Sequence, residues 1–372
     1  MTWSKAKLFE PIRVGDMTLQ HRVALAPLTR SRANSAHAHG DLAVEYYSQR
    51  ASAPGTLLIT EATFIAGKAG LYANTPGVYT DDQIAGWKRV TDAVHAKGSY
   101  IFLQMWALGR TANTTQLRKE HPGAPFTSAS DIKLSGRDEA PRPMTIAEIE
   151  EFVQLFTTAA SRAVNEAGFD GVEIHGANGY LIDQFLQDVS NKRTDEYGGS
   201  IENRVRFPLE VIDAVTKAIG PKKTGIRMSP WSKFQDMRMK DPLPTFSHYV
   251  TRVRDSHPDL AYIHLVEPQV YGGSDDPNSV PSDSNDFIRE IWGERPLLVA
   301  GGASTPEGVL DLAERTGNII AIGRYFISNP DLPTRIKKGI PWNPYNRKTF
   351  YLPESPEGYI DQPFAEDETA RL

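Results

Sequence analysis

The 372-residue chain is predicted to form one α/β domain, a single (β/α)8 TIM barrel with an N-terminal capping hairpin and long active-site loops. Three observations predict this fold. Short apolar runs alternate with longer helical segments, eight such runs can be counted, and most of them lack the polar–apolar alternation of half-exposed strands. Barrels with insertions reach this length as one unit, so the domain is expected to span 1–372.

The predicted strands are short apolar segments separated by helices. They are Val23–Pro27, Thr56–Thr60, Tyr100–Gln104, Gly171–His175, Thr224–Met228, Ala261–Val266, Leu297–Ala300 and Ile319–Gly323. An open doubly wound sheet is the alternative with the same alternation. It is disfavoured because no predicted strand is followed by a G-x-G-x-x-G turn.

The helices are marked mainly by their first residues. Thr80-Asp81-Asp82-Gln83 and Thr145-Ile146-Ala147-Glu148 are capping-box sequences, which satisfy the first free N–H groups of a helix. Further helices are predicted near 41–51, 201–218, 244–256, 283–292, 305–316 and 330–338.

Three segments depart from a minimal barrel. Residues 11–22 are expected to form a hairpin that caps the bottom of the barrel. Residues 105–143 and 267–282 are long loops after the third and sixth strands, on the face where such barrels place their active sites. The acidic tail at about 363–372 is expected to be flexible.

Composition excludes several classes of function. The net charge of −5 and the pI near 6.0 argue against nucleic acid or an anionic membrane as partner. The sequence has no cysteine, which excludes disulfides, thiolate metal sites and a cysteine nucleophile. No segment approaches the roughly 20 apolar residues of a membrane span, and the first residues lack the apolar core of a secretory signal. We expect a cytoplasmic monomer or homodimer that acts on a small molecule without a metal.

The segment after the fourth strand carries the most chemistry. His175 closes the strand, Asn178 follows three residues later and Tyr180 five residues later. His175 and Asn178 can both donate to one substrate oxygen, and the Tyr180 phenol can deliver a proton. This set suits polarising a carbonyl group and protonating a neighbouring carbon.

This arrangement, H-x-x-N-x-Y, resembles the active site of the Old Yellow Enzyme family. The run from Asn191 to Phe207, NKRTDEYGGSIENRVRF, and the segment GRYFISNPDL resemble the same family, and the likeness extends over roughly residues 8–360. The resemblance implies an FMN-dependent NADPH dehydrogenase or ene-reductase with non-covalent FMN. Its reductant would be NADPH or NADH.

The resemblance also implies a cofactor site at the ends of the strands. Thr29 would bond the flavin C4 carbonyl, Gln104 the pyrimidine edge, and Arg227 would place positive charge near N1 and C2. The remaining residues expected at the flavin ring are Pro27, Leu28 and Ala62.

A phosphate site can be predicted from the barrel itself. Barrels often bind phosphate at the loops after the seventh and eighth strands, with glycine N–H groups and a helix N-terminus. The residues at those positions are Ala300, Gly301, Gly302, Gly323 and Arg324.

The substrate is expected to lie over the flavin. By resemblance, Trp106, Tyr72 and Tyr351 line its pocket together with His175 and Asn178. The reaction would have two stages in one pocket and ping-pong kinetics: the nicotinamide reduces the flavin and leaves, and an α,β-unsaturated aldehyde or ketone then binds and is reduced. Tyr180 would protonate the α-carbon.

Three alternatives stay open at this point. One is a dedicated biosynthetic ene-reductase for a single specialised metabolite, of the ergot-alkaloid or oxylipin type. A second is a flavin-free barrel isomerase or aldolase that uses the phosphate site for its substrate, with Glu61 and Glu173 as the nearest carboxylates. The third is a flavin-binding protein with a sensing or storage role.

Overall fold

The barrel is closed in the computed structural model, which describes Trp3 and residues 5–365. Eight parallel strands form it, and β8 pairs with β1, so the predicted fold class is confirmed and the open sheet is excluded. The strands are β1 (Val23–Leu25), β2 (Leu57–Ile59), β3 (Tyr100–Trp106), β4 (Gly171–Gly176), β5 (Thr224–Met228), β6 (Tyr262–Val266), β7 (Leu297–Ala300) and β8 (Ile319–Ile322).

At least one helix follows each strand. The longest helices after the successive strands are α1 (Asp41–Arg50), α2 (Asp81–His95), α3 (Ile146–Asn165), α4 (Arg206–Ile219), α5 (Leu243–Ser256), α6 (Asp286–Trp292), α7 (Pro306–Thr316) and α8 (Leu332–Lys338). Both predicted capping boxes form, at Thr80 with Gln83 and at Thr145 with Glu148. Their bonds are local, so a four-residue sequence suffices to specify them.

The helix predicted over 201–218 is interrupted. It forms as a short helix, Ile201–Arg204, followed by α4. Pro208 has no N–H to donate to the Arg204 carbonyl four residues earlier, which accounts for the break. Ser200 opens the first piece by accepting a bond from the Asn203 N–H.

The predicted loops have structure of their own. The N-terminal hairpin pairs Ile12–Val14 with Met17–Leu19, and its apolar side chains pack into the base of the barrel. The insertion at 105–143 contains a short helix, Thr114–Glu120. The loop at 267–282 contains a small hairpin, Val270–Tyr271 with Ser274–Asp275, which we call the 270–275 hairpin.

The barrel interior changes from apolar at the base to polar near the mouth. Paired residues of parallel neighbours face the same side of a sheet. Gln104 of β3 lies opposite Glu173 of β4, while His175 lies opposite Arg227, which lies opposite His264. These two rows of polar side chains therefore lie together at the upper end of the barrel.

The last described residues pack against α8. The Pro363 carbonyl accepts a bond from Arg335, and the Ala365 N–H donates to Asp331. The tail predicted to be flexible lies, from residue 366 onward, outside the described residues. Within the described part of the chain, no helix is both long and apolar enough to cross a membrane.

Candidate active site

A cavity of about 210 Å³ opens at the carboxyl ends of the strands. The loops after β1, β4, β6, β7 and β8 and the last part of β5 contribute to it. It contains most of the predicted cofactor residues. The cofactor residues on its wall are Pro27, Leu28, Thr29, Arg227, Ala300, Gly301, Gly323 and Arg324, and the predicted substrate residues Asn178 and Tyr351 also line it.

The cavity also includes residues that the sequence did not indicate. Ala303, Ser304 and Tyr325 line it beside the predicted phosphate site, and Val270 and Gly272 of the 270–275 hairpin cover one side. The predicted Gly302 is not on the wall. Ala303 and Ser304 directly follow the glycine pair and precede the first turn of α7, a position that could have identified them.

Three aromatic rings cluster beside this cavity. The ring centroids of His175 and Tyr180 are 4.9 Å apart, and those of Trp106 and Tyr180 are 4.8 Å apart. The sequence-predicted pair of His175 and Tyr180 is thus brought into contact. Asn178 lies on the turn between them and has a positive φ of 59°.

An apolar wall supports the aromatic cluster. Ala62, Trp106, Tyr72 and Tyr180 pack in one group. Phe64 stacks on Trp106 with ring centroids 5.1 Å apart and an interplanar angle of 3°. Phe64 was not predicted, since nothing in the local sequence shows that its short strand pairs with the end of β3.

Several buried polar atoms at the site have no hydrogen-bond partner among the described residues. They are His175 Nδ1, Asn178 Oδ1, Trp106 Nε1 and Arg227 Nε. Buried polar groups are nearly always satisfied in proteins. Asn178 and Arg227 lie on the cavity wall, so a polar ligand bound there could satisfy their unpartnered atoms.

Burial fixes the protonation of the two titratable candidates. It lowers the pKa of His175 well below 6.5, and the charges of Arg227 and His264 act in the same direction. It raises the pKa of Tyr180 above its ordinary value. At neutral pH His175 is therefore uncharged with a single N–H to donate, and Tyr180 keeps its proton.

Gln104 lies deeper in the barrel, in a hydrogen-bonded chain. Its Nε2 donates to Glu173 Oε1 at 2.6 Å, and the other carboxylate oxygen of Glu173 lies 2.8 Å from His264 Nδ1. Glu173 and His264 are fully buried. This chain fixes the amide orientation of Gln104 and occupies both oxygens of Glu173. In Glu61, Oε2 accepts a bond from the backbone N–H of Arg30 at 3.0 Å, and Oε1 lies 3.4 Å from His39 Nε2.

The phosphate end of the cavity carries an ion pair. Arg324 Nη2 lies 2.6 Å from Asp275 Oδ1 of the 270–275 hairpin, and its Nη1 donates to the Tyr345 hydroxyl. Gly301 has a φ of 100°, and a Cβ there would lie 2.4 Å from Val270. Glycine is therefore required at position 301, both by its backbone conformation and by the close hairpin.

Known proteins are similar to this chain in fold and sequence. The model of the NADH:flavin oxidoreductase / NADH oxidase family matches residues 7–343. A chanoclavine-I aldehyde reductase of Penicillium roqueforti is 51% identical over 364 residues, which are 96% of each chain. Old Yellow Enzyme from Pichia sp. AKU4542 superposes with a TM-score of 0.89 at 39% identity, over 98% of this chain and 95% of that one. Morphinone reductase in complex with tetrahydroNAD gives 0.87 at 38% identity, over 98% and 99%.

Proposed function

The chain belongs to the NADH:flavin oxidoreductase / NADH oxidase family, and on that premise we propose which residues carry out its reaction. It is an FMN-dependent oxidoreductase that reduces the activated C=C bond of α,β-unsaturated aldehydes or ketones with a nicotinamide reductant. We further propose NADPH as that reductant. The observation that carries the assignment of residues is the contact of His175 with Tyr180 beside a cavity where Asn178 Oδ1 and Arg227 Nε have no hydrogen-bond partner among the described residues.

The site residues fit FMN. Arg227 is buried with its Nε unpartnered among the described residues, and it offers positive charge to the electron-rich edge of a flavin. Gly301 and Arg324 would hold the phosphate. Arg324 would give up part of its ion pair with Asp275 and bind the phosphate anion instead. Gln104 and Thr29 would bond the edge of the ring. When bound, FMN supplies the hydride that adds to the β-carbon of the substrate.

His175 and Asn178 would bind the carbonyl oxygen of the substrate. A neutral imidazole still offers one N–H, and the Asn178 amide offers two. Donors fixed in a buried site stabilise the negative charge that grows on this oxygen as the double bond is reduced. Because His175 is uncharged, it binds the oxygen without giving up a proton of its own.

Tyr180 would protonate the α-carbon. The phenol is buried, keeps its proton at neutral pH, and contacts both His175 and Trp106 through its ring. A Tyr180→Phe variant keeps these ring contacts and loses only the hydroxyl. We therefore expect flavin reduction by NADPH to persist while enone reduction slows by about 10²–10⁴-fold, the usual contribution of a general acid.

The test separates the two half-reactions. The purified yellow protein is bleached with NADPH without oxygen, and 2-cyclohexenone is then added while the visible spectrum is followed. Recovery of the oxidised spectrum in the natural protein, and its selective slowing in Tyr180→Phe, would support the proposal. Tyr100→Phe, at the other end of β3, is the matched control. Equal slowing of both half-reactions would refute the role of Tyr180, and a colourless protein that cannot bind FMN would overturn the flavin assignment.

A dedicated biosynthetic reductase is the second candidate. The observation that favours it is the 51% identity to a chanoclavine-I aldehyde reductase over 96% of both chains. Comparison of chanoclavine-I aldehyde with 2-cyclohexenone as oxidant of the reduced protein would distinguish the two. A kcat/KM at least about 100-fold higher for the alkaloid aldehyde would favour the dedicated role.

A further inference from the structure

The turn that carries Asn178 is held by side chains from another loop. The Asn178 N–H donates to Ser229 Oγ at 2.7 Å, and Gln235 Nε2 donates to the Asn178 carbonyl at 2.8 Å. Both Ser229 and Gln235 belong to the loop that follows β5. Both backbone polar groups of Asn178 are therefore bonded to side chains.

The next residue of the turn is held in the same way. The Gly179 N–H donates to Asp183 Oδ2 at 2.8 Å, and Gln184 Nε2 donates to the Gly179 carbonyl at 2.7 Å. Asn178 and Gly179 both have positive φ, 59° and 77°. Four side chains thus bind the four backbone polar groups of a left-handed two-residue turn, which would otherwise be strained and free to relax.

Gln235 is itself fixed in an uncommon conformation. Its φ is 59° and its ψ is 40°. Arg110 of the 105–143 insertion binds its carbonyl at 2.9 Å. A Cβ at Gly179 would lie 2.9 Å from the Gln235 Cβ, so the turn and the loop are in direct contact. The backbone of Gln235 is therefore held in a conformation that directs its amide toward the turn.

The same amide also affects Tyr180. Burial is the main influence on the Tyr180 phenol and raises its pKa, while the Gln235 side chain acts in the opposite direction. Gln235 thus bonds to the residue proposed to bind the substrate carbonyl, and its side chain influences the phenol proposed to protonate the substrate.

We propose that Gln235 is a positioning residue for the C=C reduction. Its amide N–H binds the Asn178 carbonyl and thereby fixes the positions of Asn178 and Tyr180 beside the cavity. The inference rests on the proposed function, because it assumes that Asn178 binds the substrate oxygen and Tyr180 supplies the proton. Through Gln235, the loop after β5 would help to position the residues that bind and protonate the substrate.

The sharpest test reverses the polarity of the amide. In Gln235→Glu, a carboxylate would face the Asn178 carbonyl with no proton to donate. This contact raises the pKa of the new carboxyl, and protonation at lower pH restores the donor. The charged and titratable groups around it are Arg110, which binds the carbonyl of residue 235, the neighbouring Asp236, Tyr180, and Asp183, which binds the same turn. Gln235→Met removes the donor at every pH while keeping the length of the side chain.

The measurements are the affinity for p-chlorophenol, which mimics an enolate oxygen, and the rate of reoxidation by 2-cyclohexenone, each relative to the natural protein from pH 5 to pH 8. We expect Gln235→Glu to lose at least about tenfold in both at pH 8, the value of one lost hydrogen bond to a buried group, and to recover toward pH 5. Gln235→Met should lose at all pH values.

The control makes the same chemical change far from the site. Gln20 is exposed on the N-terminal hairpin and also donates to a backbone carbonyl, that of Thr18. Gln20→Glu should behave as the natural protein throughout. Unchanged phenol affinity in Gln235→Glu at pH 8, or a loss that does not recover at low pH, would overturn the inference. Failure of the natural protein to be reoxidised by any enone would instead refute the proposed function, so the two failures are distinguishable.

Discussion

Replacement of Glu173 by glutamine should destabilise the protein strongly although the two side chains have the same shape. Glu173 accepts bonds from Gln104 at 2.6 Å and from His264 at 2.8 Å, and it is the buried carboxylate that opposes the charge of Arg227. A glutamine has one acceptor for these two donors. Its NH2 group must face a donor unless Gln104 turns its amide around, and Arg227 is left without an opposing charge.

The cost can be worked out from these contacts. Hydrogen bonds to a charged group contribute about 1.5–3 kcal/mol each, against about 0.5–1.5 kcal/mol for neutral ones. Replacing two of the first kind by at most two of the second should lower the free energy of unfolding by about 2–3 kcal/mol. Loss of the opposing carboxylate brings the total to about 3–5 kcal/mol, as in other buried charge pairs broken on one side.

Urea denaturation with saturating FMN measures this difference, since a fixed excess of cofactor keeps its own stabilising effect constant. Glu290→Gln, an exposed change of the same kind on α6, is the control and should lie within about 0.5 kcal/mol of the natural protein. If Gln104 turns its amide, the loss of stability is smaller and FMN affinity falls instead. A change below about 1 kcal/mol with unaltered FMN affinity would refute the reasoning.

Two further changes test the turn beside the cavity. Gly179→Ala places a methyl group 2.8 Å from Met237 Cγ at a φ of 77°. Strain and overpacking together should lower the free energy of unfolding by about 2–4 kcal/mol, measured by urea denaturation. A decrease under about 1 kcal/mol would contradict the packing described. Burial raises the pKa of Asp183 from 3.8 to about 7. Between about pH 4 and pH 7 the folded protein therefore keeps a proton that the unfolded chain releases. The free energy of unfolding of the natural protein should fall relative to that of Asp183→Asn as the pH rises through this window. A constant difference between the two proteins would show that Asp183 does not titrate there.

Much of the fold could be predicted from local patterns. The predicted strands Thr224–Met228 and Leu297–Ala300 coincide with β5 and β7, and the helix starts at Thr80 and Thr145 form as expected. The third strand was predicted to end at Gln104, but β3 continues to Trp106. The two extra residues are ordered by pairing with Thr63–Phe64, a contact that no local pattern shows.

The candidate site could be predicted only in part, for a related reason. His175, Asn178 and Tyr180 lie within six residues of one another, so their spacing alone indicated that they act together. The prediction for Arg324 did not foresee its pairing with Asp275, which lies 49 residues away in the sequence. The roles of the catalytic and cofactor residues stay predictions until the variants are measured.

The sequence by itself therefore determined the order of strands and helices, the capping of the helices, and the group of residues that carries the chemistry. These depend on periodicity and on hydrogen bonds between near neighbours, which a short segment specifies. Only the tertiary structure decided which side chains hold that group in place. Gln235 meets Asn178 across 57 residues of sequence, and Glu173 meets His264 across 91. Such contacts exist because barrel closure brings the ends of successive strands together, and no local sequence encodes the distance between them.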